Sequence, residues 1–148
     1  MDKKYTIGVT IHIYGSDLDP DIITSTLDTI PSSSNRKGDK LGREKKYTAK
    51  TGHWSLKPTL ESQNMSDNII DLMSMIKNQD VRIVDLPGVD EDGCVDIFMA
   101  RVIKDDERGG DCEFMLTPAA LAALAKSGLS LSVTTCIISN IRHPPPDD

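Results

Sequence analysis

The chain has 148 residues, 38% hydrophobic and 27% charged, with a net charge of -6. That length suffices for one domain with a real core, and the balance excludes a disordered or membrane-spanning chain. A net acidic protein repels phosphate backbones, so nucleic acid is excluded as the main ligand and a basic protein partner is favoured.

The first element is read from "YTIGVTIHIY", where Ile7, Val9, Ile11 and Ile13 alternate with Thr6, Gly8, Thr10 and His12. This period of two predicts a half-buried strand. Its positive start lacks the long apolar stretch of a secretory signal. In "SDLDPDIITSTLDTI", Asp19 suits a helix N-cap, Pro20 the first helical position and Asp21 the positive end of the helix dipole. Ile23, Leu27 and Ile30 are expected on one helical face, with Pro31 as the stop.

Periodicity then disappears from Ser32 to Lys50. Residues 36–50 hold seven basic and two acidic side chains, net +5, which leaves -11 for the rest of the chain. "YTAKTGHWSL" predicts two short strands about a turn at Thr51-Gly52, with Trp54 as a packing residue. A second helix follows, capped by Ser66 and lined by Ile69, Ile70, Leu72, Met73 and Ile76. "VRIVDL", "CVDIFMARVI" and "CEFML" read as three strands. Thr117, Pro118 and Gly128 bracket a third helix, and "LSLSVTTCII" is the last strand. The expected fold is α+β: a single domain over 1–140, with a mostly antiparallel or mixed sheet of about six to seven strands and three helices packed on one face. Residues 141–148 are expected to form a flexible Pro-rich tail.

Several short motifs invite a chemical reading and fail on context. Ser34–Lys37, Lys50–Gly52 and Ser66–Asn68 match the S-x-x-K, K-T-G and S-D-N signatures of serine β-lactamases, but in the wrong order and compressed into one short stretch. Asp17, Asp19, Asp21 and Asp28 occupy EF-hand positions, yet Ile22 stands where the calcium loop needs glycine. Helix capping explains these aspartates better. His12, His53 and His143 lie far apart and read as separate surface or edge histidines. Cys94, Cys112 and Cys136 show no metal-ligand spacing. No catalytic residue, metal ligand or cofactor motif is assigned, so a non-enzymatic protein is expected, cytoplasmic by its cysteine usage.

Three segments resemble a bacterial family catalogued as a domain of unknown function, number 4279. They are "GSDLDPDIITSTLDTIPSSS", "KGDK" followed by "TGHWSL", and "EFMLTPAALAALAKSGLSLSV". The resemblance spans residues 5 to 137 and implies an α+β fold with no catalytic residues to transfer. Trp54, Asp19 and Pro20 are then architectural. Similar proteins occur among candidate immunity proteins of bacterial toxin systems, so the resemblance implies neutralisation of a basic toxin domain by direct binding, with which a monomer or homodimer is compatible. The candidate contact surface is acidic: Asp90, Glu91, Asp92, Asp105, Asp106 and Glu107, in a stretch (85–113) of net charge -7. The alternative is a regulatory module that binds a small anion through Ser33, Ser34, Arg36, Lys37 and Lys40, since hydroxyls and cations together can cradle a phosphate.

Overall fold

The computed structural model describes residues 5–103 and 110–139. Strand β1 (Tyr5–Gly15) lies at the centre of a five-stranded sheet. Its neighbours are β5 (Gly52–Leu56) on one side and β6 (Cys94–Ile103) on the other, both antiparallel. Beyond β5 lies β2 (Ser33–Asn35), and beyond β6 lies β7 (Ser130–Ser139), parallel to β6. A separate two-stranded ribbon joins β3 (Lys40–Leu41) to β4 (Tyr47–Thr48). The fold is a mixed α+β domain with seven strands and three helices among the described residues.

Alternation along β1 assigns the two faces of the sheet. Val9, Ile11 and Ile13 are buried, as are Val95, Ile97 and Met99 of β6 and Trp54 and Leu56 of β5. Against them pack Ile23 and Leu27 of α1 (Pro20–Leu27), Ile69 and Leu72 of α2 (Met65–Ser74), and Ala120 and Leu124 of α3 (Pro118–Ser127). All three helices therefore share one face. On the other, Gly8, Thr10, His12 and Tyr14 are only half-buried and Thr6 is exposed. No helix among the described residues is long and apolar enough to cross a membrane.

The helix ends follow local chemistry. Asp19 accepts a hydrogen bond from the Asp21 amide at 3.0 Å, and Thr117 accepts one from the Ala120 amide at 3.3 Å. The second helix begins earlier than expected. Asn64, not Ser66, is its cap, accepting from the Asp67 amide at 3.1 Å. Ser66 is buried inside the helix, where its hydroxyl donates to the Met115 carbonyl and accepts from the Thr117 amide. The first helix ends at Leu27 because Asp28 turns left-handed (φ 48°), so Ile30 lies beyond it and is 83% exposed. Ile70 likewise faces outward.

Two expected strands are absent. Val81–Leu86 contains a 3-10 turn at Ile83–Asp85. Ile83 and Leu86 are both buried, and residues three apart share a side in such a turn but not in a strand. In Cys112–Leu116 the residues Cys112, Phe114 and Leu116 do alternate onto the core. Both edges of β6 are already taken by β1 and β7, however, and Cys112–Leu116 pairs with no strand among the described residues. Conversely, β2 and β3 lie in the stretch expected to be irregular. Tyr47–Thr48 and Gly52–Leu56 do not pair with each other: the first joins β3, the second β1 and β2.

Candidate protein-binding surface

The open sheet face carries a cluster built from three adjacent strands. His12 and Tyr14 are two apart on β1 and so project from the same side. Opposite Tyr14 in the register stands His53 of β5, and opposite His12 stands Cys94 of β6. The three rings stack nearly parallel. Tyr14 and His53 have centroids 4.7 Å apart, and His12 and His53 5.2 Å apart. His12 Nδ1 and His53 Nε2 share a hydrogen bond of 2.9 Å, in which one ring must donate and the other accept. The two histidines expected to stand apart are thus a pair. No local signal announces this, since 41 residues separate them and only strand pairing joins them.

Electrostatics keep the cluster neutral. Burial lowers the pKa of both imidazoles below the ordinary 6.5, and each charged form is further disfavoured, His53 by His12 and His12 by Lys57, although Asp96 pulls His12 the other way. Burial also raises the Tyr14 phenol and the Cys94 thiol above their usual values, with Asp96 adding to both. At neutral pH the site therefore offers two uncharged imidazoles, a protonated phenol and a protonated thiol. A raised thiol is a poor nucleophile. Among the described residues, no three His, Cys, Asp or Glu side chains converge as a metal site. What the patch offers is flat, half-buried ring surface with polar edges.

The acidic lip adjoins this patch. The Asp90 amide donates to the Tyr14 carbonyl at 2.9 Å, which hangs the 90–92 turn beside the ring stack. The Asp90 carboxylate accepts from the Asp92 amide at 3.0 Å and closes the turn. Glu91 and Asp92 are exposed, and Asp90 is half-buried. None of these three takes part in an ion pair among the described residues. Asp105, Asp106 and Glu107 lie outside the described residues, as does His143.

The basic stretch is arranged differently. Arg36 reaches back to the start of α1 and pairs with Asp19 at 2.8 Å and with Asp21. That guanidinium holds the Asp19 carboxyl below its usual range. The Arg36 amide donates to the Asp39 carboxylate at 2.8 Å, and the Gly38 amide to the Ala49 carbonyl. Lys40 reaches Thr48 Oγ1 at 2.6 Å, and Lys46 pairs with Glu44. Ser33 and Ser34 lie on the edge strand β2, and Lys37 is exposed. The strongest cation and the turn amides are thus already directed at carboxylates and carbonyls, which compete with any bound anion. Trp54 is fully buried, with its indole N–H donating to Thr24 Oγ1 at 3.0 Å.

A family model described as "Domain of unknown function (DUF4279)" matches residues 3–137. No curated protein and no solved structure matches the chain.

Proposed function

The chain belongs to the DUF4279 family, and from that premise we propose that it is a non-enzymatic, cytoplasmic binding protein of the immunity type, which neutralises a basic toxin domain by covering it. The observation that carries this reading is the acidic lip Asp90–Asp92, which makes no ion pair among the described residues and borders a neutral ring stack. Protein interfaces combine a core depleted of charge and rich in aromatic surface with a charged rim. The ring stack has the first character and the lip has the second. Complementary charge on the partner would speed encounter more than it deepens affinity. The anion-binding alternative has less support, since Arg36 is engaged by two carboxylates.

The test is co-purification of the tagged chain from its source cells at low and high salt, followed by expression of any stoichiometric partner alone. A basic partner that kills cells unless this chain is co-expressed supports the reading. A harmless partner, or none at either salt, defeats it.

A further inference from the structure

The central strand has a gap along one edge. In the β1–β5 register, Ile11 faces Leu56, Ile13 faces Trp54 and Gly15 faces Gly52, and the pairing stops at Leu56. Continued by two residues, the same register would place Pro58 opposite Val9, and by two more Leu60 opposite Ile7. Proline has no N–H to give to a ladder. The Thr59 and Leu60 amides turn away instead, both donating to the Asp71 carboxylate of α2 at 3.0 Å. The chain returns to β1 only at Gln63. Its side-chain amide donates to the Tyr5 carbonyl at 3.0 Å and accepts from the Tyr5 amide at 3.1 Å.

Tyr5 therefore points both backbone groups away from β6. By the alternation of an antiparallel ladder, Ile7 and Val9 do the same. Their N–H and C=O groups meet no partner within the described residues. Val9 is only 3% exposed and Ile7 is half-buried, so bulk water meets these groups only through the adjoining cavity. Leaving them unmet is costly. They border a cavity of about 440 Å³ lined by Tyr5–Thr10 on one side and by Lys57, Pro58, Leu60 and Gln63 on the other. That volume lies within the ~300–1,000 Å³ of ordinary ligand sites.

We infer that this gap is a peptide-binding site, in which an extended segment of a partner protein pairs with Ile7 and Val9 and fills the missing stretch of strand between Leu56 and Gln63. The ligand class follows from the geometry. The open groups are alternating donors and acceptors at strand spacing, from Ile7 to Val9 over roughly 7 Å of β1, which an extended backbone matches. The Gln63 carboxamide, chemically a peptide group, already fills the next position of the same ladder. Main-chain bonds would supply affinity, and the mixed wall of Lys57, Pro58 and Leu60 would select side chains. The site lies toward the opposite end of β1 from the Tyr14 stack and does not depend on the toxin-binding reading.

The test uses the intact chain and a phage-displayed library of random octapeptides. Amide exchange is read first in the free protein, where Ile7 and Val9 should exchange at least ~ten-fold faster than Ile11 and Ile13. A synthetic peptide from the enriched pool should then slow exchange at Ile7 and Val9. Methylating each of its pairing amides should weaken binding about five-fold per lost hydrogen bond. Asp71→Ala, which frees Thr59 and Leu60 to approach β1, should reduce binding of the same peptide. Any one of three results overturns the inference: Ile7 and Val9 as protected as Ile11 in the free protein, no peptide enriched, or enriched peptides that leave both amides unchanged and tolerate methylation.

Discussion

Replacing Gly15 by alanine tests the corner that carries the candidate binding surface. A Cβ at Gly15 would lie 1.7 Å from the Gly88 carbonyl oxygen and 2.9 Å from its carbon, against an ordinary contact of at least 3.4 Å. The obstacle is backbone, so no rotamer change relieves it, and the carbonyl must retreat by about 1.7 Å, the difference between those two distances. Gly88 is itself hemmed in: it has φ +79°, and its own Cβ position lies 3.0 Å from the Asp17 carbonyl oxygen. Overpacking of this kind costs about 3 kcal/mol or more. For a chain of this size that lowers Tm by roughly 6–12 °C. The displaced 88–92 loop should also lose the bond from the Asp90 amide to Tyr14. Circular dichroism melts and the Asp90 amide resonance report the two effects separately. Gly8→Ala on the same strand is the control. Its Cβ would meet only Phe98 Cβ at 3.7 Å, an ordinary contact, and removing a strand glycine should leave Tm unchanged or raise it by a few degrees, worth about 0.5–1 kcal/mol. The reasoning fails if Gly15→Ala melts within about 2 °C of the parent, or if the two variants behave alike.

Trp54→Ala removes a fully buried indole and leaves Thr24 without its donor. It should cost about 3–5 kcal/mol in urea unfolding followed by circular dichroism, and a loss below about 1 kcal/mol would contradict a core role. The His12–His53 pair makes stability depend on pH. Both folded-state pKa values lie below the ordinary 6.5, so the unfolded chain takes up protons first. Stability is then full above pH 6.5 and falls as pH drops toward the folded values. The double variant His12→Asn/His53→Asn should flatten that dependence, and an unaltered pH profile of Tm would sink the assignment. Reversing Asp90, Glu91 and Asp92 to lysine should slow association with a basic partner by about ten-fold or more at low salt and weaken its salt dependence; unchanged kinetics in a stopped-flow assay would remove the lip from the interface. Arg36→Ala should lower Tm slightly, and the difference should vanish in high salt, because the ion pairs it breaks are exposed.

Much of this architecture is legible from neighbours in the chain. The alternation of Ile7, Val9, Ile11 and Ile13 marks β1 and its buried face, and Asp19-Pro20 and Thr117-Pro118 mark helix starts, because caps and alternation act over a few residues. The same local logic misjudges Val81–Leu86 and Cys112–Leu116, which have strand-like composition but pair with no strand among the described residues. It also places Ser66 at a cap, when its hydroxyl serves a segment about fifty residues away.

The candidate binding surface belongs almost wholly to tertiary structure. His12 and His53 become a pair only because β5 docks antiparallel beside β1, in the register that sets His53 against Tyr14. Arg36 ceases to be a free cation only because its loop folds back on α1. Pro58 is plain in the sequence, but it becomes the end of a ladder, and Val9 an open edge, only once that register sets one opposite the other. Local sequence determines what each segment can be. Which segments meet is decided by burying all the apolar faces at once, a condition that no single stretch of this chain contains.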